Sequence, residues 1–293
     1  MTYSIQNEAL TIRIHQKGAE LCSIQDQAGT EFLFQADPTY WARSAPVLFP
    51  FVGSLRDKAF SYEGKRYPMG QHGFARDLDF SLVSQQKEEI WFQLASSPQT
   101  LERYPMPFVL EAGYRLEGSA IRVMWKVKNP SDTQPLYFSI GAHPAFLCPP
   151  EGGGMAGCYL GFDAGKDLSY RLLNGQGLVT QQTHRLALED GLVRIEPSMF
   201  DRDALIVEGK QAGAVWLADR EKRPFVKVEF DAPLFGIWSP AGKNAPFVCI
   251  EPWYGRCDAA DFSGTLEQRE YGNCVAPGGA FQAEYRMMIG RGE

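Results

Sequence analysis

The run Gly70-Gln71-His72-Gly73-Phe74-Ala75-Arg76-Asp77 sets an imidazole between glycines, with a guanidinium and a carboxylate within five residues of it. A second histidine, His143, stands in Ser139-Ile140-Gly141-Ala142-His143-Pro144-Ala145-Phe146, where the following proline stops a helix or a regular ladder. Imidazole titrates near neutrality, so each ring can give or take a proton; the competing reading is a core histidine satisfied by a backbone partner. Glu251 closes the apolar run Phe247-Val248-Cys249-Ile250 and precedes Pro252 and Trp253. A carboxyl at the end of such a buried strand is desolvated, which raises its pKa and suits it to act as a base. The alternative is a paired structural glutamate. The chain has only four histidines, and the other two, His15 and His184, read as surface residues.

Other chemistries are poorly served. His72 and His143 lack the i, i+4 spacing of a helical zinc pair and have no cysteine beside them in sequence, so no metal site is expected. No G-x-S-x-G elbow offers a nucleophilic serine, and Gly152-Gly153-Gly154 lacks the Lys-Ser/Thr of a phosphate loop. That leaves acid–base work on a small polar substrate. A net charge of -6 and a pI near 5.4, with scattered basic residues, argue against nucleic acid or an anionic membrane as partner. No apolar stretch approaches the ~20 residues that span a bilayer, and the first residues do not read as a signal peptide. Six cysteines without a CxxC pair read as reduced thiols, which makes a cytoplasmic protein the expectation.

The elements that must position these residues read as strands. Residues 4–15 alternate as two strands about an Asn turn, and 20–24 and 59–67 continue the pattern, the latter as a hairpin with Glu63-Gly64 at its tip. Pro46 and Pro50 bracket an apolar run that reads as a buried irregular segment delivering Arg56. Strand signals recur at 78–83, 90–95, 108–116, 121–129, 136–140, 159–162, 186–188, 204–207, 215–217, 225–230 and 246–250, with a loop at 149–154. The best helical candidate is one short segment at 100–104, and no repeat or linker composition interrupts the chain. The expectation is one all-β domain over residues 1–293, a large antiparallel β-sandwich. An aromatic share of 13% serves strands, and it equally serves a sugar site, where C–H faces pack on rings.

Taken together, Gln71-His72-Gly73-Phe74-Ala75-Arg76-Asp77, Gly141-Ala142-His143-Pro144-Ala145-Phe146 and Cys249-Ile250-Glu251-Pro252-Trp253 resemble the motifs of the aldose 1-epimerase (galactose mutarotase-like) family. Gly18-Ala19-Glu20-Leu21-Cys22-Ser23-Ile24, Ala45-Pro46-Val47-Leu48-Phe49-Pro50 and Ala276-Pro277-Gly278-Gly279-Ala280-Phe281 also fit, so the resemblance runs in order through most of the chain. It is nearest to the branch carrying HGFARD and GAHPAF. The resemblance implies a supersandwich with its cleft on one sheet, and an isomerase that interconverts the α and β anomers of an aldohexose or derivative. It implies no metal and no organic cofactor. By motif, Glu251 corresponds to the catalytic base and His143 to the catalytic acid, with His72 the other site histidine and Arg56 the arginine on sugar hydroxyls. Arg76 belongs to the branch's own motif; the family's substrate-binding aspartate has no matching motif here, with Asp203 its candidate, and Trp238 is either an aromatic wall or a core residue. The partner is then a small-molecule sugar, neutral or phosphorylated, and the protein a monomer or homodimer. The alternative is a non-catalytic carbohydrate-binding or sensing protein on the same scaffold; the filled acid and base positions favour the enzyme.

Overall fold

Apolar residues at every second position dictate the larger of two sheets. Register sets Phe92 opposite Ala112, Trp125 opposite Ala283, Val228 opposite Met287 and Leu217 opposite Val226, so one face becomes a continuous apolar surface. In the computed structural model, which describes residues 1–149 and 154–290, these strands belong to a nine-stranded sheet whose edges are Leu192–Arg194 and Ser81–Gln85. The sheet is antiparallel throughout.

A seven-stranded antiparallel sheet packs against that apolar face. Leu205, Val207, Phe235, Ile237, Val248 and Ile250 join the larger sheet's residues in one hydrophobic cluster. The Phe235 ring lies 5.3 Å from Phe230 and 6.4 Å from Phe162, across the interface. This is the antiparallel β-sandwich that the alternation predicts. A three-stranded sheet, Thr2–Gln6, Leu10–His15 and Leu21–Asp26, contributes Ile5, Ile12, Ile14 and Ile24 to the same core.

The other face of the seven-stranded sheet turns away from the core and carries the chemistry. Its strands run in the order Ile140–Gly141, Phe247–Tyr254, Leu234–Trp238, Leu205–Glu208, Leu168–Leu173, Val179–Leu186, and Ala145–Leu147 also pairs with Phe247–Tyr254. Successive side chains leave a strand on opposite faces, so Cys249, Glu251 and Trp253 share the outer face while Val248 and Ile250 enter the core. Trp253 lies flat over Gly236 and Gly141, where a Cβ would fall 2.5 Å and 2.6 Å from its ring. Trp91 over Gly113 and Trp216 over Gly161 repeat the device on the larger sheet, as direct cross-strand pairs.

Two sequence expectations shift. Glu251 is not at a strand end, because the Phe247–Tyr254 strand runs on through Pro252. The proline is tolerated where the neighbouring chain breaks its ladder. Ile140–Gly141 pairs with Tyr254 and Trp253, Ala145–Leu147 pairs with Cys249 to Phe247, and residues 142–144 lie between the two ladders. The Leu168–Leu173 and Val179–Leu186 hairpin was legible only at its far end, since residues 181–183 and 185 are polar and exposed and give no alternation. The hairpin expected at 59–67 is as read: Ala59–Tyr62 and Lys65–Pro68 meet through Glu63 and Gly64, both at positive φ. Of the loop expected at 149–154, residues 150–153 lie outside the described residues.

Candidate active site

The break in the ladder is what lets an imidazole reach the buried carboxyl. His143, between Ala142 and Pro144, fills the gap opposite Glu251, and its Nε2 stands 3.3 Å from Glu251 Oε2. The two atoms are close without hydrogen-bond alignment, and both Glu251 oxygens and His143 Nδ1 are buried with no hydrogen-bond partner. Glu251 is 1% exposed and His143 7%. Burial, then the charge of Asp203, raises the Glu251 carboxyl well above the usual range. Burial, then Arg76, lowers His143 to about 3. Both shifts favour the uncharged forms, a carboxylic acid beside a neutral imidazole with one acid proton available between them. Moving it from Oε2 to Nε2 gives carboxylate and imidazolium with no change in net charge.

His72 comes from a loop with its own backbone in the left-handed region, φ 64°. That conformation is paired with Gly53: the His72 N–H donates to the Gly53 carbonyl at 2.9 Å, and the Gly53 N–H donates to His72 Nδ1 at 3.0 Å. Because Nδ1 accepts, the ring proton sits on Nε2. Burial, followed by the neighbouring His143 and Arg76, pushes the His72 pKa well below its ordinary value, so the ring stays a neutral N–H donor. The His72 and His143 rings meet edge to face at 5.6 Å.

Around this trio lies a cleft of about 210 Å³, which Trp41, Arg76, Asp203 and Trp238 also line. Arg76 donates Nη2–H to the Gln71 carbonyl at 2.8 Å and keeps its Nε buried without a hydrogen-bond partner. Asp203 is exposed as a whole residue and sits in the left-handed region at φ 70°; its Oδ1 accepts from the Ala204 N–H, and desolvation raises its carboxyl. Trp238 is half-buried, with its ring edge-on to His143 at 5.3 Å, so it faces the cleft rather than the main core. Of the residues singled out in sequence, Glu251, His143, His72, Arg76, Asp203 and Trp238 are brought together.

Arg56 is not. Its backbone N–H donates to Asp258 and its Nη1–H to the Phe262 carbonyl at 2.6 Å, which turn it into a separate cavity of about 240 Å³ beside Arg66 and Arg269. That cavity contains no histidine. The guanidinium of the cleft is Arg76. Sequence reasoning also missed Trp41, whose ring stacks on His143 at 4.6 Å and 28°. The only local signal was its place in the turn-like Asp37-Pro38-Thr39-Tyr40-Trp41, which marks no chemistry.

A family model described as aldose 1-epimerase matches residues 1–263. The plasmid-encoded protein LacX of Lactococcus lactis subsp. lactis is 32% identical over 298 residues, covering 99% of both chains. A galactose mutarotase-related enzyme from Lactobacillus acidophilus superposes with a TM-score of 0.93 at 35% identity, over 99% of this chain and 97% of that one. A galactose mutarotase-like protein from Lactobacillus casei ATCC 334 gives 0.92 at 26% identity, over 99% and 100%.

Proposed function

The chain belongs to the aldose 1-epimerase family, and from that premise we propose that it interconverts the α and β anomers of an aldohexose or derivative at the Glu251–His143 pair. The observation that carries this reading is the 3.3 Å approach of a buried carboxyl and a buried imidazole. Anomer exchange needs a base at the anomeric hydroxyl and an acid at the ring oxygen. Those two oxygens are bonded to the same carbon, so acid and base must be near neighbours.

Glu251 as carboxylate takes the proton from the anomeric O1–H, and His143 as imidazolium gives its proton to O5. The electron pair of the C1–O5 bond goes to O5, and C1–O1 becomes the aldehyde. Rotation about C1–C2 presents the other face of the aldehyde. Closure reverses both transfers, with His143 removing the O5 proton and Glu251 returning one to O1. The neutral His72 Nε2–H orients the ring oxygen or a neighbouring hydroxyl, and Arg76 and Asp203 hold further hydroxyls. Trp41 and Trp238 offer rings to the apolar C–H face of the sugar.

The test is an NMR anomer-exchange screen over neutral and phosphorylated aldoses, run beside Glu251→Gln and His143→Asn. On the sugar that responds, each substitution is expected to slow exchange by about 10²–10⁴-fold with an unchanged circular dichroism spectrum. Full activity in either variant removes that residue from its role. Saturable sugar binding with no accelerated exchange across the panel assigns the cleft to recognition alone.

A further inference from the structure

One buried side chain beside the Glu251–His143 pair has no part in proton transfer. Cys249 leaves the Phe247–Tyr254 strand on the same face as Glu251, two residues away, and it pairs in register with Ala145, two residues beyond His143. Strand pairing thus brings His143 to two donors that lie about a hundred residues further along the chain. One ligand atom each from His143, Cys249 and Glu251 lies within 4.8 Å of the others. The three residues are 7%, 0% and 1% exposed. Neither Glu251 oxygen has a partner, so the cluster contains buried polar atoms that nothing in the described residues satisfies.

We propose that His143 Nε2, Cys249 Sγ and a Glu251 carboxylate oxygen form a binding site for a thiophilic divalent cation, Zn²⁺ by its chemistry, whose occupancy blocks anomer exchange. The inhibitory half rests on the function proposed above; the binding half does not. Tetrahedral Zn²⁺ with nitrogen, oxygen and sulfur ligands keeps its donors roughly 3.3–3.6 Å apart. Nε2 and Oε2 already stand at 3.3 Å. The sulfur reaches the third corner by moving about 1 Å, within reach of a rotation about its one side-chain torsion. The fourth corner opens to the cleft for water or a sugar hydroxyl. A mixed sulfur, nitrogen and oxygen set selects Zn²⁺ over Mg²⁺ or Ca²⁺, which prefer oxygen alone.

Charge also fits. The carboxylic acid and the thiol each release a proton on binding, so a dication with two anions leaves the buried site neutral. Only three ligands are present, and His143 Nδ1 lacks the carboxylate or carbonyl that usually orients a ligating imidazole. That points to reversible occupancy and not to a resident cofactor. With the ion in place, the Nε2 lone pair of His143 is taken up and the charge of the Glu251 carboxylate is held by the cation, which makes it a much weaker base. Chemistry at the anomeric carbon stops.

Co²⁺ reports the site directly, through the charge-transfer band of a thiolate–Co²⁺ bond. The full chain, stripped with EDTA, is expected to develop that band at one equivalent of Co²⁺ and to lose it on addition of Zn²⁺. Cys249→Ser abolishes the band, whereas Cys257→Ser, at a second buried cysteine that lines the cleft, keeps it. On the sugar that exchanges, Zn²⁺ inhibits the wild type and EDTA restores it. Cys249→Ser retains basal exchange, and its half-inhibitory Zn²⁺ concentration rises at least tenfold. Absence of the band, or a band that survives Cys249→Ser, overturns the site, and Cys249→Ala repeats the test should the serine variant fold poorly. A Cys249-dependent band in a protein that exchanges no sugar keeps the site and rejects the function proposed above. Exchange without a band does the reverse.

Discussion

Burial favours the uncharged form of both Glu251 and His143, and their shifts act on stability in opposite directions. The folded protein leaves His143 unprotonated down to about 3, while the unfolded chain protonates it below about 6.5. Its contribution is fully present above that value and is lost as pH falls toward the folded one. Glu251 keeps a proton that the unfolded chain releases above about 4.3, so its contribution declines as pH rises through the window up to its raised folded value. Glu251→Gln cannot ionise and is free of that loss. It is expected to melt at least about 2 °C above the wild type at pH 7, with the gap closing toward pH 5. Thermal melts across that range check it; a constant gap would mean that Glu251 is already ionised in the folded protein. Trp41→Leu removes the ring stacked on His143, and with it about 0.5–2 kcal/mol of support for the imidazolium, so exchange should fall roughly two- to thirtyfold. An unchanged rate sinks that role. Glu251, His143 and His72 were legible because each is polar among glycines, prolines or an apolar run. Trp41 and Cys249 were not, because each looks like an ordinary core residue until the fold sets it beside His143. Arg56 misled for the converse reason: its guanidinium is held by the Phe262 carbonyl, 206 positions away.

At the scale of elements, the floor of the cleft depends on a tryptophan laid across two glycines. A Cβ at Gly236 would enter the Trp253 ring at 2.5 Å, and that ring is 5% exposed and anchored by its Nε1–H to the Ala142 carbonyl. Gly236→Ala is expected to cost about 1–3 kcal/mol in urea denaturation and to lower exchange by tilting the face that carries Glu251. A variant with wild-type stability would show that the ring relocates freely. Most strands were readable because one face is buried and the other solvated, as in Ala120–Lys128. The Val179–Leu186 edge strand hid because only its ends are buried. The break at residues 142–144, which positions the imidazole, left a trace in Gly141 and Pro144 but no indication of its partner strand.

Across the whole molecule, one buried carboxylate ties distant segments together. Asp258 accepts from Arg269 Nε–H at 2.7 Å and from the Arg56 backbone N–H at 2.9 Å. Arg269 in turn donates to the Arg256 carbonyl at 2.7 Å and lies over the Phe51 ring at 4.9 Å. Asp258→Ala strands a guanidinium that is 8% exposed and should cost about 3–5 kcal/mol, read as a fall in the urea midpoint. A loss under about 1 kcal/mol would mean that Arg269 swings out to water. The sandwich was legible from alternation alone, whereas the strand order was not, since local pattern carries no record of which segments pair across more than a hundred residues. The same distances govern time. The cleft takes Trp41 and His72 from one end of the chain, His143 from its middle and Glu251 from near the other end. Hairpins such as Ala59–Tyr62 with Lys65–Pro68 can close early, but Ile140–Gly141 must wait for Phe247–Tyr254 before the imidazole has a carboxyl to meet. During refolding, anomer exchange should therefore return after secondary structure has recovered, which makes catalysis the last clock to start.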